Sequence, residues 1–312
     1  MWSNLINDKI TSAVVYGTEV NTKNDSFLKF TNNSAFRSLF LEKLVESESK
    51  FSGAAQEEIG NLFRDNDLQQ VAIKKLDQKK TCIIATGIHE LTVMGVRKSL
   101  PKITGFLTNP SSLVYQEVQY AMVSFNGFDG LHFLDTDKNK ISEWQQLRLL
   151  LSINKIPADC DTSIKNWLAS KNDSVIIFTL RLLSKFQMLA FYPNILNLIY
   201  HSSEEIRIQV VKTLQHLENP STIADLIESY PKQPTDVQIE IICILKTSKD
   251  QSCVDFLKEQ LLNHSSSKLR IFAAQAIFSL GHLPYLISLT LSESSCDRLI
   301  EIIKHAMQEK IC

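Results

Sequence analysis

At 312 residues, with 44% hydrophobic side chains, the chain is long enough to bury a substantial core. Its 33 basic and 34 acidic residues leave a formal net charge of −1, which excludes a global attraction to nucleic acid or to an anionic membrane and makes any electrostatic role local. With only 9 glycines and 8 prolines it has too few turn residues for an all-β chain of hairpins, so composition favours helices.

Residues 1–32 are polar and show no sustained period, so they are expected to form an irregular N-terminal arm, with Val14, Val15 and Tyr16 as a short extended piece. This stretch has no basic leader and no long apolar run, so neither a signal peptide nor a membrane-spanning helix is expected in the chain as given. From residue 34 onward apolar residues recur at n, n+4, n+8 and n+11, the spacing of one helical face. The copies begin at Phe51, Ile83, Val114, Val175, Ile206, Val237, Leu269 and Leu299, a near-constant step except for one that is doubled. The double step predicts a further copy near residue 144, where "ISEWQQLRLLLSI" offers Leu147 and Leu151.

Shorter apolar segments lie between the copies, such as "STIADLIESY" at 221–230 and "SCVDFLKEQLL" at 252–262, so each period reads as a helical hairpin. Hairpins of this size cannot bury their apolar faces alone and must stack. Cap-forming residues precede the first helices in "TNPSS", "NDS", "HSSEE", "QPTD" and "HSSSK".

The segments "EEIRIQVVKTLQHL" and "SKLRIFAAQAIFSLG" resemble first helices of HEAT repeats, with an apolar residue followed by arginine at Ile206–Arg207 and Leu269–Arg270. Other copies depart from the pattern, carrying Tyr115, Ile176 and Gln238 in the arginine slot. The segment "VYQEVQYAMVSFNGFDGLHFLD" with "ISEWQQLRLLLSI" is similar to bacterial HEAT-repeat proteins of unassigned activity. The resemblance implies an all-α, right-handed α-solenoid of about eight or nine HEAT-like helical hairpins over residues 33–312. First repeats would occupy 34–108, an atypical middle repeat 136–172 and a C-terminal cap 292–312. Members of that bacterial group commonly carry an N-terminal membrane segment, which would imply membrane association only if an anchor lay upstream.

Two stretches suggest metal chemistry and then fail a test of spacing. In "DTDKNKISEWQQL" the residues Asp135, Asp137 and Asn139 alternate as in a calcium loop, but Lys140 stands where the sharp turn needs glycine and Gln146 where a bidentate glutamate is needed. The better reading is a solvated loop, with Ser142 capping the next helix. His89–Glu90 would open a zinc helix, but Val93 replaces the second histidine, and a single His–Glu pair does not match the several pairs of HEAT-type deoxyhypusine hydroxylases. No metal and no cofactor is expected. The six cysteines, at 82, 160, 243, 253, 296 and 312, form no CxxC pair; Cys82, Cys243 and Cys253 read as small core residues, and a reduced, cytoplasmic compartment is the simplest setting.

The strongest local signal is basic. Residues 64–102 hold eight basic and four acidic side chains, a net of +4, whereas residues 203–260 hold six and ten, a net of −4. In HEAT families the second helices usually line the binding face, which would bring Lys74, Lys75, Lys98 and Lys102 to it. The expected function is therefore a non-catalytic scaffold that presents an extended surface to a protein partner. A HEAT-type enzyme or enzyme accessory, DNA glycosylase-like or lyase-like, is the alternative. Nucleic acid is disfavoured as a partner because there is no continuous basic stripe, and Trp144 and Trp167 read as packing residues of the middle repeat.

Overall fold

A computed structural model of the chain describes residues 1–17, 25–292 and 296–308, and every regular element among them is helical. Two compact units are present: Met1–Thr136 with Ser142–Pro157, and Asp137–Ile141 with Ala158–Cys312. Their division falls inside the 136–172 segment expected to be an atypical repeat.

The first unit holds α1 (Trp2–Tyr16), α2 (Asp25–Leu28), α3 (Ser34–Glu48), α4 (Ala54–Asp65), α5 (Gln69–Leu76), α6 (Thr81–Val93), α7 (Leu100–Thr104), α8 (Ser112–Asn126) and α9 (Glu143–Ser152). Helices α6, α8 and α9 start at Thr81, Ser112 and Glu143, two equal steps along the chain, and α6 packs on α8 as α8 packs on α9. The template positions Ile59, Leu62, Leu91, Val114 and Val118 are buried as their spacing requires, whereas Phe51, the expected start of the first copy, is 40% exposed and lies before α4; each fully buried aliphatic side chain contributes about 1.5–3 kcal/mol.

The N-terminal arm is not irregular. Within it α1 places Ile6, Ile10 and Ala13 on one buried face against α3 and α4, a spacing of four and then three that suffices for a helical stripe even in a polar sequence. Trp2 lies 5.7 Å from both Phe30 and Phe36, and Phe27 meets Phe36 and Phe40 edge-on at 5.3 Å. Val14–Tyr16 ends this helix rather than forming an extended piece, and residues 18–24 of the polar segment lie outside the described residues.

The second unit holds α10 (Asp161–Leu168), α11 (Asp173–Lys185), α12 (Tyr192–Asn197), α13 (Glu204–His216), α14 (Thr222–Ser229), α15 (Thr235–Ser248), α16 (Val254–Asn263), α17 (Ser267–Ser279), α18 (Leu283–Leu291) and α19 (Asp297–Gln308). Helices α11, α13, α15, α17 and α19 start at Asp173, Glu204, Thr235, Ser267 and Asp297, again in near-equal steps, and each packs on the next. Val175, Thr179, Leu183, Ile206, Val210, Leu214, Val237, Ile241 and Leu245 are all buried. Thr179 is tolerated there because its hydroxyl donates to the Val175 carbonyl at 2.8 Å. The two arginines of the HEAT-like pattern tie neighbouring segments: Arg207 Nε donates to the His201 carbonyl and Arg270 Nε to the Leu261 carbonyl.

Of the five expected caps only Asn172 uses its side chain on a helix, accepting from Ser174 N. In "HSSEE" and "HSSSK" the histidine acts instead, His201 and His264 Nδ1 accepting from Ser203 N and Ser266 N at 3.0 Å.

A left-handed residue follows the end of nearly every first helix. Asp67, Gly95 and Gly127 do so in the first unit, and Gln187, Glu218, Lys249 and Gly281 in the second, with φ between 47° and 90°. Four of these turns close with the backbone bond of a Schellman motif, Leu68 N to Phe63 O, Val96 N to Leu91 O, Met188 N to Leu183 O and His282 N to Ile277 O. Helix α9 departs, ending on an extended Ile153. A non-glycine residue in this region costs about 1 kcal/mol. Glu218→Gly is therefore expected to raise the urea midpoint by the equivalent of ~0.5–1 kcal/mol, partly offset by glycine's freedom in the unfolded chain, whereas Glu218→Val should lower it.

The middle copy runs in a different register from the expected one. Its buried positions are Gln145, Gln146, Leu149 and Ile153, whereas Leu147 and Leu151 are 48% and 68% exposed. Gln145 falls one repeat period after Val114 and one before Val175, so a polar amide occupies the anchor of this repeat. Its Nε2 donates to the Gln116 carbonyl at 2.8 Å, whereas its buried Oε1 has no hydrogen-bond partner among the described residues. Trp167 is 1% exposed, as expected of a packing residue, but Trp144 is 70% exposed.

Candidate functional site

Helices α5 and α6 cross closely because Gly87 has no side chain. A Cβ there would lie 2.7 Å from the Lys75 Cβ and 2.9 Å from the Ala72 carbonyl. Lys74 and Lys75 sit in the last turn of α5, where the helix dipole favours cations, but they turn different ways. Lys75 Nζ lies 2.5 Å from Glu90 Oε1 on α6, and the Glu90 side chain is 3% exposed. Burial pushes the Glu90 carboxyl above the ordinary carboxylate range, against the opposing hydrogen bond and charge of Lys75. Its second oxygen, Oε2, has no hydrogen-bond partner among the described residues.

Lys74 is exposed. With Arg37 of α3 and with Lys75 it lines an open cleft of about 650 Å³, whose other contributors include Asp67, Gln70, Gln78, Val71 and Ile83. Arg37 is pinned there, donating to the Asp67 carbonyl at 2.8 Å and to the Thr31 carbonyl at 3.4 Å. Lys102 and Lys98 do not line the cleft. Lys102 forms an exposed 2.6 Å ion pair with Asp77, the residue that ends α5, an arrangement worth little in water. Lys98 stands exposed in the turn before α7. The basic quartet therefore separates into two lysines lining one cleft, Lys75 held by a buried carboxylate and Lys74 exposed, with Lys102 paired at the surface and Lys98 apart.

A second polar cluster joins α6, α8 and α9. Arg148 donates bidentately to Glu117, at 2.7 and 2.9 Å, and its guanidinium lies 4.1 Å from the centre of the Tyr120 ring. His89 stacks on the same ring at 6.4 Å, with Nδ1 3.3 Å from Glu117 Oε2 but not aligned for a hydrogen bond. Burial would raise the Glu117 carboxyl, but His89 and Arg148 outweigh it and hold the group below the ordinary range. Arg148 follows Glu117 by one repeat period. Opposite charges one repeat apart at equal phase are the sequence signal that would have found this pair.

The acidic loop is a structural clasp within the second unit. Asp137 Oδ1 accepts from Asn139 N at 2.9 Å, and Asn172 Nδ2 donates to the carbonyls of Asp137 and Asn139 at 3.1 and 2.8 Å. Ser142 caps α9 as expected, accepting from Gln145 N at 3.2 Å. Among the described residues no cluster of three or more His, Cys, Asp or Glu is disposed to hold a metal, and no helix is long and apolar enough to cross a membrane. Cys253 is buried, as its apolar setting suggests, and burial pushes its thiol up to about 11, whereas Cys82 is exposed rather than a core residue.

No family model and no curated protein matches the chain. Among solved structures, an engineered protein aligns with 97% of this chain and 87% of its own at 15% identity, with a TM-score of 0.36, a likeness too loose to carry an argument.

Proposed function

We propose that the chain is a HEAT-like helical-repeat protein, its hairpins arranged as a right-handed α-solenoid, and that it acts as a non-catalytic scaffold for a protein partner. Supporting the repeat reading are the near-constant phase of the first helices and the packing of α6 on α8 and α8 on α9 in the first unit and of α11, α13, α15, α17 and α19 each on the next in the second. The scaffold reading is carried by one observation, the exposed Lys74 ammonium, which has no partner among the described residues and lines a pre-formed cleft on a second helix. A rigid repeat surface binds with little loss of ordering entropy. A reducing, cytoplasmic setting belongs to the same proposal and suits the five described free thiols.

Full-length protein used as bait in native extract tests this, against Lys74→Glu and Lys98→Glu variants that leave the Lys75 and Lys102 ion pairs intact. Lys74→Glu is expected to deplete the specifically captured protein several-fold. Equal capture by all three baits would overturn the reading, and excision of an alkylated base by the purified protein would favour the glycosylase-like alternative.

A further inference from the structure

We infer that the cleft between α3 and α5 receives an acidic peptide segment, a carboxylate meeting Lys74 while an apolar neighbour lies on Val71 and Ile83. This deepens the scaffold reading and rests on it. Three cations, Arg37, Lys74 and Lys75, line the cleft against a single lining carboxylate, Asp67, and with Glu90 behind Lys75 counted as a carboxylate the balance is +1, carried outward by Arg37 and Lys74. Two of them are fixed before any ligand arrives: Arg37 by two backbone carbonyls and Lys75 by Glu90. Pre-positioned cations lose little side-chain freedom on binding, so their attraction to an anion is not spent on ordering.

Lys74 is the exposed member. Its ammonium has no partner among the described residues, so a ligand carboxylate displaces only water. The half-buried Val71 and Ile83 supply an apolar wall beside it, and the volume of about 650 Å³ lies within the roughly 300–1,000 Å³ of sites that enclose small ligands or a few side chains. A peptide is favoured over a nucleic-acid strand for two reasons. No Phe, Tyr, Trp or His is among the lining residues to stack a base, and Asp67 repels a continuous phosphate backbone.

The test is a fluorescence-anisotropy titration of full-length protein with a short labelled peptide of alternating glutamate and leucine. Its glutamine–leucine counterpart and a labelled single-stranded DNA are run alongside. The acidic peptide should saturate and weaken with added salt, the glutamine peptide should bind roughly fivefold more weakly or worse, and Lys74→Glu should lose a similar factor while Lys98→Glu does not. Absence of saturable binding, equal binding of the two peptides, or tighter binding of DNA overturns the inference. If extract capture still depends on Lys74 while the acidic peptide fails to bind, the scaffold reading stands and the acidic-segment inference alone is lost. If neither depends on Lys74, both are lost.

Discussion

Replacing Lys75 with methionine is expected to destabilise the first unit by about 3 kcal/mol at neutral pH, because it strips the only side-chain hydrogen-bond partner among the described residues from a carboxylate that is 3% exposed. Methionine keeps the stem that packs near Gly87, so the loss reports on charge rather than volume. The double variant Lys75→Met/Glu90→Met should recover most of the loss, since removing both charges also removes the desolvation cost. The pH dependence has a defined sign. The folded Glu90 carboxyl is raised, first by burial, so the folded chain binds this proton more tightly than the unfolded chain, and stability rises as pH falls through the raised value. The penalty of Lys75→Met should therefore shrink between neutral pH and the ordinary carboxylate range, about pH 4–5. Urea denaturation across that window measures it. A single-variant loss that is constant with pH, or is not relieved in the double variant, would contradict the assignment.

Arg148→Met should cost a similar amount, about 3 kcal/mol, with the opposite pH behaviour in the parent protein. Glu117 is 14% exposed and takes both arms of the guanidinium. Burial acts to raise it, yet His89 and Arg148 prevail, so its folded value is depressed. The pair therefore contributes stability above the unfolded carboxylate range, and this is lost as pH falls through the depressed folded value. In Arg148→Met the half-buried carboxylate protonates instead, so the gap between parent and variant should be widest at neutral pH and close in acid. Arg148→Lys should fall between them, keeping the charge but losing the fork and the contact with the Tyr120 ring. Denaturant midpoints of the three proteins at matched pH decide it.

The repeat phase is legible because stacked helices must place an apolar residue at the same point of each period. Val175, Ile206, Val237 and Leu269 are buried where the spacing puts them. The middle copy defeats the spacing rule for a physical reason. Its anchor is Gln145, an amide whose nitrogen donates to the Gln116 carbonyl while its Oε1 stays without a hydrogen-bond partner among the described residues, and the apolar Leu147 and Leu151 beside it face outward and mimic a repeat shifted in register. The first helix escapes a search for periodicity because Ile6, Ile10 and Ala13 are few and lie among polar residues, and their burial comes from α3 and α4. Glycine, the usual marker of a left-handed turn, is replaced at Asp67, Gln187, Glu218 and Lys249, which hides four turns from composition. At the site, charge is visible in the sequence but pairing is not. Nothing in the local sequence distinguishes Lys74 from Lys75; the difference is which of them faces Glu90 across a crossing that Gly87 permits.

The loop at Asp137–Ile141 has a consequence for the order in which the protein is made. The chain leaves the first unit at Thr136, lends this short loop to the second, and returns at Ser142 to complete the first. On a ribosome, where residues emerge from the N-terminus at roughly 5–20 per second, the first unit gains α9, and with it Arg148 and Gln145, only after the loop has passed. The loop then waits for Asn172 and Ser174, whose side chains hold Asp137, Asn139 and Ile141. A release point placed just after Thr136 would free a nascent chain with Glu117 still lacking its arginine, and one placed after Pro157 would leave the loop's carbonyls without the Asn172 amide that donates to them and the Ile141 N–H without the Ser174 hydroxyl that accepts from it. Synthesis past Ser174 is thus the first moment at which both sets of bonds can close.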